Sequence, residues 1–224
     1  MNLAGMIDHT FLKPNGSAKD VMKLCREAKR YGFASVCIHP CEVARAAKLL
    51  KGSGVAVCTV IGFPLGQNTG ELKLCEALEA VANGATELDF VINVSGLKAA
   101  AAKGAASREE KALTAEWSGI VAAVREARPA VVTKLIIECC YLTREEKVFA
   151  ARLCKRAGFD FVKTSTGFGP GGATVEDVKL LRKTVGPGMG VKAAGGIRTR
   201  KDALAMIAAG ATRLGCSAGV EIVR

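Results

Sequence analysis

One phrase recurs along the chain. It reads Tyr31-Gly32-Phe33-Ala34-Ser35-Val36-Cys37-Ile38, then Asn83-Gly84-Ala85-Thr86-Glu87-Leu88-Asp89-Phe90, then Ala157-Gly158-Phe159-Asp160-Phe161-Val162-Lys163, and finally Ala209-Gly210-Ala211-Thr212-Arg213-Leu214-Gly215. Each copy has a glycine that closes a helix, a short turn and a strand. Helix-start signatures precede several copies: Ser17-x-x-Asp20, Thr143-x-x-Glu146, Thr174-x-x-Asp177 and Thr199-x-x-Asp202, where a hydroxyl and a carboxylate can cap the first turn reciprocally. The helices carry apolar stripes such as Val21, Leu24, Cys25 and Ala28. Strand segments are expected near Met6–Thr10, Ser35–His39, Val55–Ile61, Glu87–Asn93, Lys134–Cys139, Phe161–Thr164, Gly190–Ala193 and Thr212–Cys216. Helical stretches separate most of them. An alternation of this kind in 224 residues predicts an α/β chain folded as a (β/α)8 TIM barrel, one domain over 1–224.

Composition agrees and removes other classes. Half of the residues are hydrophobic and only 5% aromatic, which suits helices packed on a parallel sheet more than a platform for stacking bases. No apolar run approaches the roughly 18 residues of a membrane span, and the N-terminus lacks a secretory pattern, so a cytoplasmic protein without membrane contact is expected. The nine cysteines are an odd number and fall mostly at apolar positions, so they read as reduced core residues. With only His9 and His39 available, no metal site is expected. The net charge of +11 is scattered over helix surfaces. Without a basic stripe or a recognisable module it argues against nucleic acid and suits attraction of an anionic small molecule.

Two lysines intrude on apolar strands: Lys163 in Phe161-Val162-Lys163-Thr164 and Lys192 in Val191-Lys192-Ala193-Ala194. An unpaired ammonium is costly to bury and tends to lose its proton, and a neutral amine can condense with a carbonyl. On neighbouring strands the two can stand about 5 Å apart. Two such charges repel by about 3 kcal/mol at an effective dielectric near 20, enough to leave one amine neutral while the other stays charged. Asp8, Asp89, Lys134 and Glu138 also lie on or near strands, and ionisable groups there need one another's company.

Glycine turns follow the last two strands: Gly195-Gly196-Ile197-Arg198 and Gly215-Cys216-Ser217-Ala218-Gly219. In barrels, backbone N–H groups at these positions commonly hold a phosphate. Gly167-Phe168-Gly169-Pro170-Gly171-Gly172 matches a dinucleotide fingerprint. The acidic residue expected about 20 positions later is missing, since Lys192 stands there, and the segment reads as an active-site loop.

Taken together, these stretches resemble the class I, Schiff-base deoxyribose-phosphate aldolase family. The resemblance rests on Ile7-Asp8-His9-Thr10, Val60-Ile61-Gly62-Phe63-Pro64-Leu65-Gly66, Glu87-Leu88-Asp89-Phe90-Val91-Ile92-Asn93, Lys134-Leu135-Ile136-Ile137-Glu138, Phe161-Val162-Lys163-Thr164-Ser165-Thr166-Gly167 and Val191-Lys192-Ala193-Ala194-Gly195-Gly196-Ile197-Arg198. It implies a cofactor-free lyase that reversibly cleaves 2-deoxy-D-ribose 5-phosphate to acetaldehyde and D-glyceraldehyde 3-phosphate in deoxyribose-phosphate catabolism. By that resemblance Lys163 carries the Schiff base, Lys192 is the charged neighbour that activates it, and Asp89 moves protons. Asp8, Thr10, Cys37, Lys134, Thr166 and Gly167 match substrate-site positions; Gly195, Gly196, Arg198, Gly215 and Ser217 match the phosphate loops. Ala218 departs from the pattern, where a second serine is usual. A homo-oligomer, dimer or tetramer, is the expected assembly. Two other readings stand beside this one: another phosphate-sugar barrel enzyme, isomerase or transaldolase-like, and a basic non-catalytic binding protein.

Overall fold

A computed structural model describes residues 2–104 and 106–224. Eight strands close into a parallel barrel in chain order: β1 (Ile7–Thr10), β2 (Ser35–Ile38), β3 (Ala56–Ile61), β4 (Glu87–Val91), β5 (Val132–Ile136), β6 (Phe161–Lys163), β7 (Gly190–Ala194) and β8 (Arg213–Cys216). Around them lie α1 (Ala18–Tyr31), α2 (Val43–Leu50), α3 (Gly70–Ala82), α4 (Val94–Lys103), α5 (Arg108–Ala127), α6 (Arg144–Arg156), α7 (Val175–Val185), α8 (Arg200–Ala208) and the short α9 (Gly219–Val223). No described helix is long and apolar enough to cross a membrane.

The local signals act as the sequence suggests. Capping boxes form at Ser17/Asp20, Thr143/Glu146 and Thr199/Asp202. At Thr174 the side chain accepts from the Asp177 amide. Gly32, Gly84, Gly158 and Gly210 all take positive φ, which glycine alone adopts without steric cost. Each thus turns its helix into the next strand.

Most strand ends fall within one or two residues of expectation, and the largest departure is at β5. β5 begins at Val132 and ends at Ile136, earlier than the expected 134–139, although the apolar run continues past its end. Glu138 is therefore not on a strand. It stands at φ +53°, just before a 3-10 turn at Cys139–Tyr141. The alanine-rich stretch resolves into α4, with α5 following; Ala105 lies outside the described residues.

Alternation along each strand sorts the barrel wall into two faces. Ile7, Val36, Leu88, Leu135, Val162, Val191 and Leu214 are fully buried within the apolar layer that packs the helices on the barrel. Their neighbours point inward, and most are polar: Asp8, Ser35, Glu87, Asp89, Lys134, Lys163, Lys192 and Arg213.

Candidate active site

The inward side chains form one buried network. The register sets Lys163 directly beside Lys192, Asp89 beside Lys134, and Lys192 beside Arg213. Asp89 is the hub. Its Oδ2 accepts from Lys163 Nζ at 2.7 Å and from Lys192 Nζ at 2.6 Å, and its Oδ1 accepts from Lys134 Nζ at 2.9 Å. Lys192 also pairs with Asp8. Burial alone would push the Asp89 carboxyl up; Lys134, Lys163 and Lys192 outweigh it and hold it well below the usual carboxylate range. Asp8 is lowered likewise, chiefly by Lys192 acting against burial. For Lys192 burial works against the ammonium, but Asp8 and Asp89 more than offset it and push its pKa up.

The two lysines are thus adjacent, but they do not simply repel. A carboxylate oxygen is shared between them, because β4 and β7 face each other across a barrel narrow enough for their side chains to meet.

Above this network the mouth opens into a cavity of about 280 Å³. Thr10, Lys163, Thr166, Gly167, Gly195, Gly196, Arg198, Gly215 and Ser217 line it, with Phe11, Leu12, Lys13 and Phe168 among the other wall residues. Lys163 is the one member of the inner charge network that reaches this space. Asp89 and Lys192 lie immediately beneath it. Asp8, Cys37 and Lys134, expected to contact substrate, do not line the cavity: Asp8 and Lys134 are fully buried partners of the other charges, and Cys37 packs with Cys58, Val60 and Leu12 in the inner wall. Their strand positions lie deeper than the loops, so their side chains meet one another rather than the opening.

The glycine turns earn their residue type by close approach. A Cβ on Gly172 would fall 2.4 Å from the Gly195 carbonyl oxygen, and the Ala173 amide donates to that oxygen at 3.0 Å. The Gly167–Gly172 segment is therefore pressed against the turn after β7. Gly215 leaves room for the Lys192 stem, whose Cε would lie 3.1 Å from a Cβ there. Below Lys163, Phe161 faces Gly190, where a Cβ would meet the Phe161 ring at 2.2 Å.

Glu138 belongs to the site although nothing in its sequence context assigns it a role. Its buried carboxylate accepts from the Thr166 amide at 3.2 Å to each oxygen, and from the Thr166 hydroxyl. Thr166 Oγ1 in turn accepts from the Phe168 amide at 3.0 Å. Glu138 so fixes the loop that walls the cavity. Among the described residues, Ser165 Oγ is buried without a partner, two residues on from Lys163; the polar run after β6 marks this region but not which hydroxyl is unpaired. Cys37, Cys58 and Asp89 place potential ligand atoms within 4.8 Å of one another. Three ammonium groups already occupy the Asp89 oxygens and would repel a cation, so the donor set fits a metal poorly.

The chain belongs to the DeoC/LacD family of aldolases, whose family model matches residues 3–224. It is 60% identical over 223 residues to the deoxyribose-phosphate aldolase of Thermoanaerobacter sp. strain X514, covering 100% of this chain and 96% of that one. It is 56% identical over 224 residues to that of Bacillus subtilis strain 168, covering 100% and 96%. Among solved structures, a putative deoxyribose-phosphate aldolase from Coccidioides immitis superposes with a TM-score of 0.88 at 41% identity, covering 99% of this chain and 84% of that one. A tetrameric deoxyribose phosphate aldolase from Aeropyrum pernix gives 0.87 at 38%, covering 99% and 89%.

Proposed function

We propose that this chain is a lyase that cleaves 2-deoxy-D-ribose 5-phosphate reversibly to acetaldehyde and D-glyceraldehyde 3-phosphate, through an imine on Lys163. The observation that carries the assignment is that Lys163 alone, of the inner lysines Lys134, Lys163 and Lys192, lines the cavity. Its amine adds to the C1 aldehyde of the open-chain sugar, and loss of water gives an iminium. Removal of the C3 hydroxyl proton then breaks the C2–C3 bond. The electron pair flows into the iminium to form an enamine, and the phosphorylated aldehyde departs. The enamine gains a proton at C2, and hydrolysis frees acetaldehyde and the lysine. Asp89, hydrogen-bonded to Lys163 Nζ, is the group placed to carry protons, and Lys192 keeps a positive charge beside the nucleophile. The turns after β7 and β8, with Arg198 and Ser217, receive the phosphate at the mouth.

Reduction by borohydride in the presence of acetaldehyde tests this. An ethyl group should appear on the Lys163 peptide and nowhere else; an adduct on Lys192 or Lys134 overturns the assignment. Unphosphorylated deoxyribose should react far less efficiently, and equal kcat/KM for the two sugars rejects the phosphate site.

The chain works as one catalytic domain on a phosphorylated sugar, in the reduced cytoplasm and in deoxyribose-phosphate catabolism. All nine cysteines are free thiols, which supports that setting. A homo-oligomer is the proposed assembly, supported by the tetrameric relative; sedimentation analysis of the purified chain decides it.

A further inference from the structure

The hydrogen bonds and ion pairs inside the barrel close on themselves. From Asp89 the path runs to Lys192 at 2.6 Å, from Lys192 to Asp8, and from Asp8 to Arg213 at 2.6 Å. It continues from Arg213 to Glu87 at 3.1 Å, from Glu87 to Lys134 at 2.6 Å, and from Lys134 back to Asp89 at 2.9 Å. Three carboxylates alternate with three cations around this ring. Lys163 hangs from it by its single bond to Asp89 at 2.7 Å.

Charge in a poorly hydrated interior is tolerated only when it is matched. The ring is matched within itself, so Lys163 is the surplus cation. Lys192 and Lys134 each hold two carboxylates, and Arg213 does too; a guanidinium also keeps its proton. Lys163 holds one carboxylate oxygen and shares it with Lys192. Of the four cations it is the one whose charge the ring does not match. The remaining polar groups around it do not change this count. Ser35 Oγ donates to Asp8, and the Cys58 thiol, packed beside Cys37, donates to Asp89. Glu138 is engaged with Thr166, Cys216 lies at the end of β8, and Lys13 and Arg198 stand at the open mouth.

We propose that this ring is a charge-balancing device built around Lys163, and that Glu87 and Lys134, which do not reach the cavity, set the pH at which catalysis turns on. They are positioning residues acting through Asp89. The inference rests on Lys163 being the nucleophile.

The test is a charge-swap cycle read on the acid limb of the kcat/KM profile, with borohydride trapping of acetaldehyde across the same pH series. Lys134→Gln leaves the ring one negative charge in excess, so the limb moves up by about two pH units, the scale of one charge about 6 Å away at an effective dielectric near 20. Glu87→Gln leaves one positive charge in excess and moves the limb down by about as much. The double variant restores the count and returns the limb close to its wild-type position. If Lys134→Gln does not fold, Arg213→Gln carries the same upward expectation. Folded single variants that move together or stay unmoved overturn the proposal, as does a double variant that keeps the shift of either single. Failure of the wild-type enzyme to trap on Lys163 would instead overturn the function it rests on.

Discussion

The two faces of the barrel wall are made by the same strands and do opposite work. On the outer face, residues such as Leu88, Leu135, Val162 and Val191 are fully buried against the helices. Their contribution is removal of apolar surface from water, which is non-directional and tolerant of similar shapes. On the inner face, their sequence neighbours Asp89, Lys134, Lys163 and Lys192 are as deeply buried but charged. There the energy depends on partner, sign and count, and loss of one member strands another. Stability can therefore be altered from outside the wall and chemistry from inside it, one residue apart in sequence.

The sharpest way to break this contrast is at Lys163. Lys163→Arg keeps a cation on Asp89 but cannot form an imine, so turnover should vanish while the circular dichroism and melting transition stay near wild type. Asp89→Asn comes next. It removes the proton carrier, and kcat should fall at least ~100-fold; it also leaves three ammonium groups without their shared carboxylate, so the melting temperature should drop as well. Retention of both would place Asp89 outside the network's function.

On the other face, Leu88→Ala should cost about 2–5 kcal/mol in denaturant unfolding, with kcat near wild type at a temperature where the variant is folded. Acid exposes the inner face selectively. Asp8 and Asp89 are held low by their lysines, so their contribution is complete above the unfolded-chain value near pH 3.9 and drains away as the pH falls below it. Chemical-denaturation midpoints below that pH should decline more steeply for wild type than for Asp8→Asn. The smallest effect is expected at the mouth: Ala218→Ser adds a hydroxyl beside Ser217 and should lower KM for the phosphorylated sugar by a few-fold with kcat unchanged, about the worth of one hydrogen bond.

Much of this division was legible in the chain. Lys163, Lys192 and Asp89 stood out because each interrupts a strand otherwise made of apolar residues, and the recurring glycine phrase marked where strands begin. The far half of the ring was not legible. Glu87 and Arg213 open their strands, where a charge reads as a solvated end. Their partnership with Asp8 joins residues from opposite ends of the chain, which only closure of β8 onto β1 brings together. The resemblance puts Asp8, Cys37 and Lys134 at the substrate, and strand position alone does not tell that they lie below the cavity wall. Glu138 was noticed as a charge but misplaced: the apolar run Leu135-Ile136-Ile137 conceals that β5 ends at Ile136.

Glu138 also shows how selection must act on this molecule. At φ +53° a side-chain-bearing residue is strained by roughly 1–2 kcal/mol, and glycine would sit there at ease. The carboxylate on Thr166 is what glycine would forfeit. Folding alone therefore sets relief of backbone strain against the loss of bonds to a buried amide and hydroxyl, each worth about 1 kcal/mol, so the two nearly cancel and the ordered cavity wall is what favours glutamate. A library sorted for expression should tolerate both glutamate and glycine at 138, whereas one sorted for activity should keep glutamate.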